Sequence, residues 1–214
     1  AYTGQRIARR NDSAFLRGAG RYTDDIDQPG VLHAAIIRSP VAHGELVGFD
    51  VSGVAPGATV LGPEDLRART VGQLPVIWTL GNQWQQHTPL VDQHLRYVGQ
   101  PIAIAVAGSR AAAEDAAEAV VLDFEERGPV VDLELALAPD APLLYPDAGS
   151  NVLADFEAGD PPEHTAAVFA AADHILSTTI VVGRVHGTAM ETRGILAVPG
   201  PSGSLTVTTS TQTA

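Results

Sequence analysis

Seven histidines stand at positions 33, 43, 87, 94, 164, 174 and 186, and none has the His-x-x-x-His or Glu-x-x-His spacing that puts two ligands on one helix face. No metal centre built within this chain is expected. The absence of cysteine removes thiolate zinc sites, iron–sulfur ligation, disulfides and thiol nucleophiles together. All 13 basic side chains are arginine, so lysine Schiff-base and P-loop chemistry are excluded as well. Gly18-Ala19-Gly20 lacks both the third glycine and the preceding strand of a dinucleotide fingerprint and reads as a turn. No Gly-x-Ser-x-Gly elbow is present to raise a serine nucleophile. Of the acidic pairs, Glu114-Asp115 and Glu125-Glu126 read as solvated faces. Asp24-Asp25 is expected to pair with Arg21 or to cap a turn.

Two segments look like more than scaffolding. Between Arg184 and Gly194, the acid Glu191 and the arginines Arg184 and Arg193 lie beside flexible glycine, between two apolar runs. Such charges near a core must be paired, so the alternatives are a structural ion pair and the wall of a site. The other is Thr208 to Gln212, a strand end carrying a terminal amide that can both donate and accept.

The elements that must position these residues follow from composition and period. The 214 residues are 45% hydrophobic and 18% charged, the mixture of an ordinary folded domain, long enough for one large domain or two small ones. A net charge of −12 argues against nucleic acid and anionic lipid surfaces, which require a basic footprint. No apolar run reaches the roughly 18–20 residues of a membrane span.

Residues 1–20 read as an extended arm. Strands are expected at 31–38 and 45–51, a helical turn at 52–56, and a helix start at Gly62-Pro63-Glu64. Residues 71–89, with both tryptophans (Trp78 and Trp84), have no clear period and read either as a long excursion on the surface or at a subunit contact or as a packed loop. The run 102–106 is a strand, Ser109 an N-cap for an alanine-rich helix to about Ala119, and 120–126 a half-buried strand. Gly128-Pro129 marks a domain junction. Beyond it a helix is expected at 161–172 and strands at 174–182, 195–198 and 204–210, the last two joined by a turn at Pro199–Gly203.

Six motifs occur in order: Gly18–Ile26, Arg38–His43, Arg96–Pro101, Ala116–Glu118, Met190–Gly194 and Ser210–Gln212. Together they resemble the N-terminal part of the large, molybdopterin-binding subunit of the molybdenum hydroxylases, the family of xanthine dehydrogenases, aldehyde oxidases and aerobic carbon monoxide dehydrogenases. The resemblance implies an α+β chain: an arm over 1–20, an α/β hammerhead domain over 21–128, and the start of the first molybdopterin-binding domain over 129–214.

It also implies an oxidoreductase, carbon monoxide dehydrogenase-like in its Met-Glu-Thr-Arg-Gly motif. Such an enzyme oxidises a small substrate with water-derived oxygen and passes electrons to iron–sulfur and FAD groups on small and medium partner subunits. The expected assembly is a cytoplasmic dimer of heterotrimers, with the cofactor in its cytosine dinucleotide form. Gln212 matches a glutamine whose amide approaches the metal's oxo group, and Glu191 and Arg193 match a segment that frames the site. Ala189 departs from the family's proline and Gln100 from its glutamate. The glycine-rich cofactor segment and the late catalytic glutamate would lie beyond Ala214, so this stretch alone is expected to bind no cofactor and turn over nothing. The alternative is a free-standing, non-catalytic hammerhead module that serves in assembly; such a module should cover the strand that ends at Gln212.

Overall fold

In the computed structural model, residues 3–69, 74 and 87–211 are described. They divide into two compact units, Gly30–Asp173 and Ala1–Pro29 with His174–Ala214.

The larger unit holds two three-stranded antiparallel sheets. The first has β1 (His33–Arg38), β5 (Pro101–Ala107) and β3 (Thr59–Leu61), with β5 central. As the central strand it is the most buried, and its run Ile102-Ala103-Ile104-Ala105 lacks the polar alternation of a half-exposed strand. Pro101 stands at its first residue, where a missing N–H costs least, and the β1 register shifts opposite it. The second sheet sets β2 (Gly44–Asp50) between β4 (His94–Leu95) and β6 (Val121–Glu126).

Helix α3 (Arg110–Glu118) joins β5 to β6 and packs against β1 and β5. Its start is fixed as expected: the Ser109 hydroxyl accepts from the Ala112 N–H at 3.2 Å. Ala113 and Ala116, three apart and so on one face, are its buried residues. Strand, helix and strand follow in sequence here, yet β5 and β6 lie in different sheets, so the unit is not a parallel crossover. The core comprises Ile37, Leu46, Val91, Leu95, Ile102 and Val120, with three alanines among them.

A short helix, α2 (Pro63–Arg67), begins with proline where the sequence placed it. The expected helical turn at 52–56 is instead a hydrogen-bonded turn without a helix, Val54 N–H to Val51 carbonyl. A helix over Pro162–Ala170 agrees with expectation. The excursion with Trp78 and Trp84 lies outside the described residues.

The smaller unit contains a four-residue helix, α1 (Asp12–Phe15), a 3-10 turn at Thr23–Asp25 and a hairpin. The hairpin pairs β7 (Ile195–Pro199) with β8 (Leu205–Thr209), turning through Ser202 and Gly203 at φ of +79° and +76°. Consecutive positive φ values suit a tight hairpin turn. The strand expected over 174–182 is corrected: the stretch carries no ladder. Apolar β-branched residues supply propensity, but a strand exists only where a neighbour takes its N–H and C=O groups. Among the described residues, none of 3–29 or 174–211 is buried. No helix among them is long and apolar enough to cross a membrane.

Candidate functional site

Asp24-Asp25 caps a turn, one of the two expected roles: the Asp25 carboxylate accepts from the Tyr22 N–H at 2.8 Å. That turn presents Thr23, whose N–H and hydroxyl both donate to one oxygen of Glu191, at 2.9 and 3.0 Å. Glu191 is therefore half-buried against the residue 168 positions before it. Its anchor is not an arginine. Arg184 and Arg193 are exposed and make no ion pair among the described residues, so of the two alternatives the structural ion pair is not found there. The physical reason is that this segment lies at a surface, where water stabilises a guanidinium without a partner.

The remainder of the motif is tied to the end of β8. The Gly194 N–H donates to the Ser210 hydroxyl at 2.9 Å, that hydroxyl donates to the Thr192 carbonyl at 3.0 Å, and the Ser210 N–H donates to the Gly194 carbonyl at 3.2 Å. Glycine at 194 lets the two segments approach closely: a Cβ there would stand 3.1 Å from the Thr23 Cβ, tighter than an ordinary contact. Residues 23, 191–194 and 210 thus form one polar knot. Gln212, two residues past Ser210, lies outside the described residues.

His186 sits in a local turn with Thr188, whose N–H donates to the ring Nδ1 at 3.0 Å. Nδ1 is then an acceptor, so in the neutral ring the proton is on Nε2. His43 is the opposite case. Buried, with Nδ1 at 2.8 Å from the Gly128 carbonyl, it must carry its proton on Nδ1 and acts as a structural tie.

The other motifs lock the larger unit. The Ser39 N–H donates to the Gln100 carbonyl, the Gly99 N–H donates to the Ser39 carbonyl, and Arg38 donates to the Gly99 carbonyl, at 2.9, 2.8 and 2.9 Å. The turn from Arg96 to Gln100 needs glycine at 99, where φ is +86°. It is closed by the buried Gln100 side chain, whose oxygen accepts from the Arg96 N–H at 2.7 Å. The departure from glutamate keeps that acceptor and removes a buried charge. Beside this turn lies a cavity of about 430 Å³, but its polar lining is already engaged: Asp92 with Arg96, and Arg96 with Gln100. It offers a ligand little to bind.

The knot's donors and acceptors are hydroxyls, main-chain groups and one anchored carboxylate, and the exposed Arg193 is a free cation among the described residues. The knot's own donors are taken up within it, so what this place offers an oxygen-bearing anionic group is the Arg193 guanidinium, and no cluster that could hold a metal ion occurs among the described residues. Sequence reasoning singled out Glu191 and Arg193 but gave Thr23 and Ser210 no role. Both lay inside quoted motifs, the only signal available, since their pairing spans most of the chain.

Comparisons with known proteins identify the family. Residues 17–128 match the family model of the aldehyde oxidase and xanthine dehydrogenase a/b hammerhead domain, and residues 144–214 that of the molybdopterin cofactor-binding domain. The chain is 36% identical to the nicotine 6-hydroxylase large subunit of Paenarthrobacter nicotinovorans, over 91% of this chain and 24% of that one. It is 35% identical to the carbon monoxide dehydrogenase large chain of Hydrogenophaga pseudoflava, over 94% and 26%. Among solved structures it resembles quinoline 2-oxidoreductase from Pseudomonas putida 86, with a TM-score of 0.83 and 32% identity over 98% of this chain and 27% of that one. The chain thus spans about a quarter of the length of these relatives. Its motifs, its fold and both domain matches in their order lead to one conclusion: the chain belongs to the aldehyde oxidase and xanthine dehydrogenase family of molybdopterin-dependent oxidoreductases.

Proposed function

We propose that this chain is the N-terminal part of the large subunit of a molybdenum hydroxylase of carbon monoxide dehydrogenase-like type, with an arm over 1–20, a hammerhead domain over 21–128 and the start of a molybdopterin-binding domain over 129–214. The whole enzyme oxidises a small substrate with oxygen drawn from water. Electrons leave through iron–sulfur and FAD groups on small and medium subunits in a cytoplasmic dimer of heterotrimers, a reading supported by relatives named as large subunits or, in one case, as a subunit of a dehydrogenase complex. The cofactor is the cytosine dinucleotide form of molybdopterin; when bound, it supplies the two-electron oxidation.

The observation that carries this reading is the knot of Thr23, Glu191, Gly194 and Ser210, which draws three of the six family motifs into one place. Glu191 and Arg193 frame the site. Glu191 does so by fixing the Thr23 turn, and Arg193 supplies a cation toward an anionic cofactor. Gln212 follows the pinned Ser210 by two residues, and its amide would help hold the cofactor by donating a hydrogen bond without titrating. The free-standing module is disfavoured because all five residues of β8 are exposed.

The test is Gln212→Ala in the full polypeptide, assayed for molybdenum content and for turnover of carbon monoxide, aldehydes and N-heterocycles. Retained molybdenum with kcat lowered by about 10²–10³ is expected from losing one such donor. Unchanged turnover of every accepted substrate would overturn the role of Gln212.

A further inference from the structure

The segment from Asp132 to Asn151 buries little, with Leu133, Leu135 and Leu137 all exposed, yet it is folded. Polar ties do this. The Asp132 carboxylate accepts from the Glu134 and Leu135 N–H groups at 2.9 Å each. The Asn151 side chain donates to the carbonyls of Ala136 and Pro142, at 3.1 and 3.0 Å, and accepts from the Leu144 N–H at 3.0 Å. With little apolar burial to hold it, such a loop opens easily unless something fastens it.

Arg96 of the hammerhead motif fastens it. Its Nε donates to the Leu144 carbonyl at 3.0 Å, and its guanidinium carbon lies 4.3 Å from the centre of the Tyr145 ring. The other face of the group is set beforehand: both terminal nitrogens donate to Asp92 at 3.0 Å, one also to the His94 carbonyl at 3.2 Å, while Gln100 holds the Arg96 main chain. Tyr145 is flanked on another side by His87, edge-on at 6.2 Å between ring centres. A planar fork with five donors can grip a carboxylate, a carbonyl and a ring face at once; a lysine ammonium cannot.

We infer that residues 132–151 are a strap pinned to the hammerhead by Arg96, which opens as a unit when the pin is withdrawn. The pinned residues, Leu144 and Tyr145, are the first of the stretch that matches the cofactor-binding family model. The strap therefore fixes where that stretch leaves the hammerhead, whatever the enzyme's substrate.

Hydrogen exchange on the full polypeptide tests this with four variants. Arg96→Met should speed amide exchange across 132–151 by about tenfold or more, with β1 and β5 amides unchanged, because it removes the carbonyl bond and the ring contact together. Arg96→Lys should recover only a small part. Tyr145→Leu should open the strap by several-fold, and Tyr145→Phe, which keeps the ring and loses only the long 3.4 Å hydroxyl contact with His87, should stay close to the wild type. Unchanged exchange over 132–151 in Arg96→Met would overturn the strap. If Arg96→Met loosens the strands as well, Tyr145→Leu decides: faster exchange confined to 132–151 supports the pin, and wild-type exchange there overturns it.

Discussion

The six family motifs sort into two places that work differently. In the larger unit Arg38–His43, Arg96–Pro101 and Ala116–Glu118 surround a buried core, and His43, Ser39 and Gln100 are themselves buried and hydrogen-bonded. In the smaller unit the motifs at 18–26 and 190–194 meet each other and Ser210 through hydrogen bonds, while Val182, Val185 and Met190 stay exposed. Equally recognisable motifs thus have different physical reasons. One set closes a buried core; the other ties surface segments to one another through hydrogen bonds and leaves the Arg193 cation exposed.

The sharpest test of that contrast is core truncation in the 214-residue chain. Leu95→Ala or Ile102→Ala, at fully buried positions, should cost about 2–5 kcal/mol in urea unfolding. Val207→Ala in β8, half exposed, should stay within about 0.5 kcal/mol. Equal losses would erase the distinction, and a larger Val207→Ala loss in the longer polypeptide would sharpen it.

Next is Gly194→Ala, whose added methyl meets Thr23 and should cost about 1–3 kcal/mol. Its distinguishing sign is faster exchange at the Thr23 amide. Glu191→Gln keeps an acceptor but loses its charge, so it should weaken the same amide by about 1 kcal/mol, the gap between charged and neutral hydrogen bonds. Wild-type protection of Thr23 in both variants would dissolve the knot. Ser109→Ala removes the α3 cap and should cost about 1 kcal/mol from the larger unit alone, read from thermal melts.

The smallest effect is a pH dependence. Burial pushes the Asp92 carboxyl up, but bonds from Arg96 and the main-chain N–H groups of Gln93 and His94, with the Arg96 charge, hold it well below the ordinary range. A lowered carboxyl stabilises the fold above the ordinary carboxylate range and loses that contribution as pH falls through and below it. His94 and Tyr145 also face this pair, and Asp92 is half exposed, so screening keeps the effect modest. The stability gap between wild type and Asp92→Asn should be flat near neutrality and narrow only below about pH 4. A gap that stays constant to pH 3 would contradict the assignment.

Much of the fold was legible where period and caps speak locally: β1, β2, β5, the Ser109 cap, α3, β6 and the terminal hairpin. What the sequence hid was pairing. Strands β3 and β4 are too short to show a period. The separation of β5 and β6 into different sheets is set by packing across the chain, and residues 174–182 had strand composition without a partner. At the site, Glu191 could be singled out by its motif, but its bond to Thr23 is a contact across 168 residues that no local pattern encodes.

The most direct test of the central reading is the mass and metal content of the native polypeptide that carries this sequence, isolated with an antibody to the hammerhead. A chain several times larger than 22.3 kDa, containing molybdenum and accompanied by iron–sulfur and flavin subunits, is the expected result. A metal-free chain of 22.3 kDa without such partners would contradict it.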